Sequence, residues 1–194
     1  MSSVTLRHFT EADIPLRSGL LLESRFQANL TDAAAITGDD ALDANQRHCI
    51  AKEHHTKQIY TLCGPREQVV GFAWITSIDW RAQVCEISYG ILPRYRGLYG
   101  AAAITAAHTY IRLELNMQVT INQVLEHNTM MHSAEGLAAQ RQVRTRYDSY
   151  TVGEWRAASY WSETEEDVRA HLRQAEERRR RIADRIRTMT RPAS

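Results

Sequence analysis

The segment that most constrains the fold spans residues 85–104 and reads CEISYGILPRYRGLYGAAAI. Its first half is rich in apolar and β-branched residues, which predicts a strand, and its alanine-rich second half predicts a helix. The turn between them, residues 93–100, contains two arginines and two glycines. A glycine turn that opens a helix leaves the first backbone N–H groups unpaired at the positive end of the helix dipole, and this geometry binds phosphate oxygens. The segment therefore predicts a cradle for a ligand that carries a pyrophosphate.

The rest of the chain predicts one mixed α/β domain around this segment. Residues 4–13 alternate like a first strand, and Thr10 can cap the structure that follows. Residues 43–57 have helical spacing of apolar positions, and a further group of segments has the alternation of strands. The predicted strands are 58–63, 69–78, 117–125, and a closing hairpin of 144–150 and 155–161.

Composition agrees with a globular domain and excludes several function classes. The chain has 194 residues and 43% hydrophobic content, enough to bury a core without disulfides or metals. Its three cysteines, Cys49, Cys63 and Cys85, lack the spacing of a zinc site, so no metal is predicted. The formal charge of +1 gives no global attraction to nucleic acid. No apolar leader or membrane-length apolar run occurs, which predicts a soluble cytoplasmic protein.

The end of the chain differs in kind from the rest, so we divide the sequence into a domain of residues 1–162 and an arginine-rich helical extension of residues 163–194. Ser162 to Glu165 is a candidate capping box for a long helix. An apolar heptad seam from Val168 to Met189 predicts packing on a partner helix, which allows a homodimer. The run Arg178 to Arg181 fits either a solvated face with Glu–Arg pairs or an arm that contacts the phosphates of tRNA.

The motif Glu86-x-x-Tyr89, followed by Pro-Arg-Tyr-Arg-Gly at 93–97, resembles the coenzyme A loop of the GNAT superfamily of N-acyltransferases. The similarity is greatest to the branch that acetylates N-terminal alanines of ribosomal and other proteins. Members usually continue Arg-Gly-x-Gly-x-Gly/Ala, whereas this chain has Tyr99 at the middle glycine. The resemblance covers about residues 4–162. It implies a mixed, splayed sheet of six or seven strands flanked by about four helices, with the long C-terminal helix added.

The resemblance also implies which residues hold the acyl donor, acetyl-CoA or another acyl-CoA. Most belong to the strand–turn–helix segment, and Asn128 matches the asparagine that family members place after the fifth strand. The implied donor-binding residues are Ile91, Leu92, Arg94, Arg96, Gly97, Leu98, Tyr99, Gly100, Ala101 and Asn128.

Acyl transfer to an amine needs a group that accepts the amine proton, an oxyanion stabiliser and a proton for the leaving group. Glu86 is the first candidate for the proton acceptor, since family members often carry an acid on this strand. Backbone N–H groups from Tyr89 to Leu92 are expected to hold the thioester carbonyl. The tyrosine that family members commonly use as the acid has no counterpart here, because Glu135 stands at its position. Tyr89 and His132 are the substitutes.

Three functions remain open on these residues. The first is an N-acyltransferase that uses acyl-CoA to modify a small-molecule amine or a protein N-terminus. The second keeps the fold but takes the acyl group from an aminoacyl-tRNA or an acyl carrier protein, as Tyr99 and the C-terminal arginines suggest. The third is an inactive relative that binds acyl-CoA and acts as a regulator, as the missing acid suggests.

Overall fold

A computed structural model describes residues 4–23, 37–52, 55–125, 128, 144–151 and 153–189. Its centre is a seven-stranded sheet in the order β1-β2-β3-β4-β5-β7-β6. The strands β4 and β5 run parallel, while every other neighbouring pair runs antiparallel. The mixed sheet agrees with the predicted α/β class.

The strands are β1 Thr5–His8, β2 Gln58–Cys63, β3 Val69–Asp79, β4 Val84–Ile91, β5 Val119–Leu125, β6 Arg144–Thr151 and β7 Glu154–Thr164. The α-helices are α1 Ile14–Leu22, α2 Asp39–Lys52, α3 Leu98–Leu113 and α4 Glu165–Met189. Two single 3₁₀ turns, Glu11–Asp13 and Pro93–Tyr95, precede α1 and α3.

The second helix starts four residues earlier than predicted and ends five residues earlier. Asp39 and Asp40 therefore fall in its first turn. Gly38 just ahead of them has a φ of 79°, a conformation that glycine adopts without strain. Carboxylates are favoured at this end of a helix because they face the positive end of its dipole.

The sheet divides between β4 and β5. These two strands pair from Val84 to Glu86 on one side and from Val119 to Ile121 on the other. Beyond that point β4 continues only in register with β3, and β5 in register with β7. The two strands thus separate several residues before their ends at Ile91 and Leu125. The opening, called the splay below, therefore reaches deep into the sheet.

Each face of the sheet carries its own apolar core. On one face, α1 and α2 cover Phe72 and Trp74 of β3. On the other face, α3 covers Cys85 and Ile87 of β4, with Ile111 contributed by the helix. The splay lies between these two layers, so a ligand that enters it can be reached from both.

The C-terminal helix begins at Glu165, two residues later than a capping box at Ser162 would place its start. Strand β7 runs on to Thr164, and the box forms there instead. The Asp167 carboxylate accepts the Thr164 N–H at 2.8 Å, and the Thr164 hydroxyl accepts the Asp167 N–H at 3.3 Å. Glu163, expected in the box, lies in the strand and is buried. None of the described helices is both long enough and apolar enough to cross a membrane.

Candidate active site

The turn at residues 93–100, called the donor turn, presents the start of α3 at the mouth of the splay. Gly97 adopts a φ of 97°, and its carbonyl accepts the Ala101 N–H at 2.9 Å, which closes the first helical turn. No side chain caps this end, and the first turn carries no acidic residue. The N–H groups of residues 98–100 are therefore available to an anion, and phosphate binding by them stays a prediction.

Gly100 lets α3 approach the end of β4 closely. A Cβ atom at this position would lie 3.0 Å from the Tyr95 carbonyl oxygen and 3.2 Å from Cγ2 of Ile91. Both distances are tighter than ordinary contact, so a larger residue would push the helix away from the strand. Glycine at position 100 thus keeps the helix start beside Ile91 and Leu92, which are both buried at the end of β4.

The side chain of Tyr99 packs away from the helix start. Its ring lies 5.7 Å from the ring of Tyr95, and its hydroxyl lies beside Gly64 in the β2–β3 turn. A Cβ atom at position 64 would come within 2.6 Å of that hydroxyl. The phenol therefore fills space next to the β2–β3 turn. Because the Tyr99 side chain lies away from the helix start, its presence does not favour a donor other than acyl-CoA.

The two arginines of the donor turn have different environments. Arg94 is exposed and stacks at 4.8 Å on the ring of Tyr95. Arg96 donates from Nε to the carbonyl of Ile91 at 3.1 Å and forms a two-pronged ion pair with Glu23, with 2.8 Å between Nη1 and Oε1. Glu23 directly follows α1, so this ion pair links the donor turn to the α1 end of the molecule. The sequence contains no signal for it.

The inner edge of β4 offers backbone groups to the splay. The Leu92 N–H donates to the Val70 carbonyl on β3 at 2.9 Å. Because successive residues of a strand direct their N–H groups to opposite sides, Tyr89 and Ile91 direct theirs toward β5. The register with β5 has already ended at Glu86. These N–H groups therefore border the opening, where we expected an oxyanion site.

Glu86 stands where the splay begins. It is exposed, and its carboxylate accepts the hydroxyl of Thr76 at 3.3 Å. It lies opposite Thr76 of β3, while Ser88 lies opposite Trp74. Side chains two apart on a strand share a face, so these four residues line one side of the sheet, called the acceptor face below. This face is the one that α1 and α2 cover.

Tyr89 lies on the other face of β4, so the structure does not place it beside the Glu86 carboxylate. Its ring lies 6.1 Å from that of His108 on α3, and His108 Nδ1 lies 3.0 Å from a carboxylate oxygen of Glu163 on β7. The contact is close, but His108 Nδ1 forms no hydrogen bond with a described residue. Burial raises the pKa of Tyr89 above its ordinary value, and the Glu163 charge adds to the effect. The phenol is therefore neutral at pH 7.

Several solved structures of N-acetyltransferases share this architecture. A chimera of spermidine N-acetyltransferase SpeG from Vibrio cholerae and hSSAT has a TM-score of 0.69 at 15% identity, over 86% of this chain and 98% of that one. The Vibrio cholerae enzyme in complex with CoA and spermine has a TM-score of 0.65 at 14% identity, over 86% and 98%. RimL, a ribosomal L7/L12 alpha-N-protein acetyltransferase in complex with coenzyme A, has a TM-score of 0.66 at 13% identity, over 85% and 96%.

The chain has the GNAT fold. The likeness covers nearly the whole of each neighbour, and it confirms the fold that the strand–turn–helix motif implied. At 13–15% identity it is a likeness of structure. No protein-family model matches the sequence. A search of curated proteins finds no match either.

Two predicted site positions cannot be placed as expected within the GNAT fold. His132 lies outside the described residues, as does the side chain of Leu98. Asn128 is described, and its backbone N–H donates to the Leu125 carbonyl at 2.9 Å, which turns the chain just beyond β5. Its role toward a donor stays a prediction. In the described ranges, no group of three or more His, Cys, Asp or Glu side chains is arranged to hold a metal ion.

Sequence reasoning missed a buried arginine that braces α3 against β5. Arg112 is 1% exposed and donates to the Met117 carbonyl at 2.9 Å and to the Thr120 hydroxyl at 2.8 Å. Burial lowers its pKa, although the nearby Glu163 carboxylate acts in the opposite direction. Arginine in a helix followed by a polar strand residue has no distinctive spacing, so only the structure reveals this contact.

The described arginines of α4 favour a solvated helix face. Arg180 forms an i,i+4 ion pair with Glu176 at 2.6 Å, and Arg187 lies 3.8 Å from Asp184. Exposed pairs of this kind contribute little to stability, about 0.2–1 kcal/mol each. Ile182 of the predicted heptad seam is 54% exposed in the single chain.

Replacing Arg178, Arg180, Arg181 and Arg185 with glutamine tests the arm directly. We expect the substituted protein to keep its oligomeric state and its turnover, because glutamine preserves helix propensity and the apolar seam is intact. Sedimentation measures the oligomeric state, an assay of amide formation measures the turnover, and tRNA binding across a salt series tests the arm. A weaker tRNA affinity with a shallower salt dependence would instead establish the RNA arm, since fewer counterions would be released.

Proposed function

We propose that this protein is an N-acyltransferase that transfers an acyl group from acyl-CoA to an amine. The observation that carries the proposal is the splay between β4 and β5, which opens directly beside an uncapped helix start. The neighbours support the choice of donor, because a SpeG structure and the RimL structure are complexes with CoA. The two neighbours differ in acceptor, a polyamine for SpeG and a ribosomal protein for RimL.

The donor turn would hold the pyrophosphate of acyl-CoA. The N–H groups of residues 98–100 point out of the helix start, and Arg94 and Arg96 supply positive charge beside them. Extended along the splay, the thioester end of the donor would then reach the N–H groups of Tyr89 and Ile91. Hydrogen bonds from these groups to the thioester oxygen would stabilise negative charge as it develops there.

The acceptor amine would approach from the acceptor face. Glu86 takes the amine proton, directly or through water, which leaves the nitrogen lone pair free to attack the carbonyl carbon. The new C–N bond forms, the C–S bond breaks, and the departing thiolate takes up the second proton that the nitrogen must lose, so that an amide and a free thiol are released. Tyr89, on the opposite side of the strand, donates a hydrogen bond to the leaving sulfur as a neutral phenol. Glu163 and His108 sit behind its ring.

The function is tested by offering the purified protein labelled acetyl-CoA, charged tRNA and acylated carrier protein, each with a panel of amines. We expect saturable binding of acetyl-CoA and amide formation from it. Amide formation only from charged tRNA or from carrier protein would overturn the choice of donor. Tight binding of acetyl-CoA with no turnover on any amine or N-terminal peptide would identify an inactive acyl-CoA-binding regulator.

The ion pair between Arg96 and Glu23 makes a second prediction about the donor. A donor phosphate has to compete with Glu23 for the guanidinium. We therefore expect Arg96→Ala to weaken acetyl-CoA binding by about 1.5–3 kcal/mol, the range for a charge-assisted hydrogen bond. Glu23→Gln should tighten binding, since it removes the competitor and leaves the arginine in place. Calorimetric titration of both variants measures the two effects.

The exposed Arg66 in the β2–β3 turn provides a matched control for lost charge. Arg66→Ala should leave acetyl-CoA affinity within a factor of about two, because exposed charges are strongly screened by salt. If Arg96→Ala behaves like Arg66→Ala, the pyrophosphate does not use Arg96. In that case, the arginine serves only to hold the donor turn against Glu23.

A further inference from the structure

A buried arginine lies beneath the acceptor face. Arg17 of α1 is 5% exposed and sits in the core between α1, α2 and the sheet. Its guanidinium carbon lies 4.9 Å from the centre of the Trp74 ring and 5.8 Å from that of Phe9. Stacking on aromatic rings partly offsets the cost of removing a guanidinium from water.

No carboxylate neutralises Arg17 within the described part of the chain. Its Nη1 donates to the side-chain carbonyl of Gln46 at 2.9 Å, and its buried Nε has no hydrogen-bond partner. Gln46 donates in turn to the Ser18 hydroxyl at 2.7 Å, which donates to Asp43 at 2.6 Å. The nearest carboxylate along these bonds is thus separated from the guanidinium by two neutral side chains.

This arrangement is energetically unusual. Burial lowers the pKa of Arg17 to about 10, so the side chain is still charged at pH 7. Buried charges in proteins are ordinarily paired with an opposite charge, because an unpaired one loses its hydration without compensation. Asp13, the other buried charge near α1, follows this rule and pairs with Arg7 at 2.7 Å. Arg17 has donors available for an anion that the described chain does not supply.

Arg17 lies on the same face of the sheet as Glu86, the proposed proton acceptor. Trp74, on which it stacks, lies directly opposite Ser88 on β4, and such opposite side chains are about 5 Å apart. Glu86 is two residues further along the same strand, about 7 Å away on the same face. A small molecule could therefore place its amine at Glu86 and reach toward Arg17 with its other end.

We propose that Arg17, oriented by Gln46, binds a carboxylate of the acceptor, so that the acceptor is an amine that also bears a carboxylate, such as an amino acid. The acceptor role rests on the proposed function, whereas the anion site rests on the unpaired guanidinium alone. The positive charge of Arg17 repels a polyamine such as the spermine of the SpeG complex. This protein would therefore differ from SpeG in the charge of the acceptor that it prefers.

Gln46→Glu tests the proposal, because it supplies the missing carboxylate from within the protein with almost no change in shape. The probes are L-amino acids, each paired with its primary amide, and binding is measured by calorimetry and by melting temperature without a donor. We expect the wild-type protein to bind at least one amino acid at least tenfold more tightly than its amide. Gln46→Glu should melt at a higher temperature and lose that preference. Arg17→Met should also lose it.

Gln118→Glu, at an exposed position between α3 and β5, is the matched control for added charge and should behave as wild type. If Gln46→Glu melts higher yet keeps the preference for the acid, or if the wild-type protein shows no preference, Arg17 is a structural residue and the proposal is wrong. Turnover assays separate the two proposals. Acetylation of amines without regard to a carboxylate would overturn only the anion site, while carboxylate binding without turnover would overturn only the acyltransferase.

Discussion

Replacing Glu86 with glutamine should lower kcat/KM for acyl transfer by about 10²–10⁴, the range expected for loss of a positioned general base. Glutamine keeps the size of the side chain and can still contact Thr76, but it cannot accept the amine proton. The carboxylate stands at the last pair between β4 and β5, where the splay opens. Steady-state kinetics with acetyl-CoA and the best amine acceptor measures the loss.

The pH dependence and a control identify the cause of that loss. Raising the pH should partly restore the rate of Glu86→Gln, because more of the amine is then already deprotonated. Glu114→Gln, at an exposed position following α3, should leave the rate unchanged. A rate for Glu86→Gln within about threefold of wild type would show that Glu86 is only a surface carboxylate of the strand, since a positioned base contributes far more. Acetyl-CoA affinity should be the same in all three proteins.

Asp13→Ala should produce the largest loss of stability, about 2–4 kcal/mol in the free energy of unfolding. Asp13 is 2% exposed and joins β1, β2 and α1. It accepts two hydrogen bonds from Arg7 at 2.7 Å, and bonds at 3.0 Å from the Thr10 N–H and from the hydroxyls of Thr10 and Thr61. Alanine leaves these donors unpaired. Arg7 can regain water because its side chain is 42% exposed, which keeps the loss below the upper limit for a buried pair.

The Asp13 carboxylate also makes the free energy of unfolding depend on pH. Burial alone would raise the pKa of Asp13, but the hydrogen bonds from Arg7, Thr10 and Thr61 outweigh it and hold the pKa below its usual 3.8. A lowered pKa means that the stabilisation is present above about pH 3.8 and is lost as the pH falls through the native value. Urea unfolding at about pH 7 and about pH 3 should therefore show the difference between wild type and Asp13→Ala shrinking in acid. Glu11→Ala, exposed on the same 3₁₀ turn, should show no such difference.

Much of the fold was predictable because its signals are local. Strand β2 has the predicted bounds, and β3 and β6 differ from prediction by a single residue at one end. Strand β5 begins two residues late, because Met117 is taken into the core beneath α3. The first residue of α4 was misjudged, because Glu163 satisfies a strand position and a buried contact with His108 at the same time. The sequence around Glu163 does not reveal its contact with His108, because that histidine lies far away along the chain.

In the candidate site, too, local features were predictable from the sequence, whereas contacts between distant residues were not. By itself, the sequence determined the strand–turn–helix segment, since its strand, glycine turn and helix follow one another within about twenty residues and each has a local signal. It also placed Glu86 on the strand that leads into that turn, but only the structure shows that the splay opens at this residue. Only the tertiary structure decided which charges meet. Arg96 pairs with Glu23 across 73 positions, and Arg17 bonds to Gln46 across 29. Such contacts depend on how helices pack over the sheet, and residue spacing along one chain carries no information about that packing.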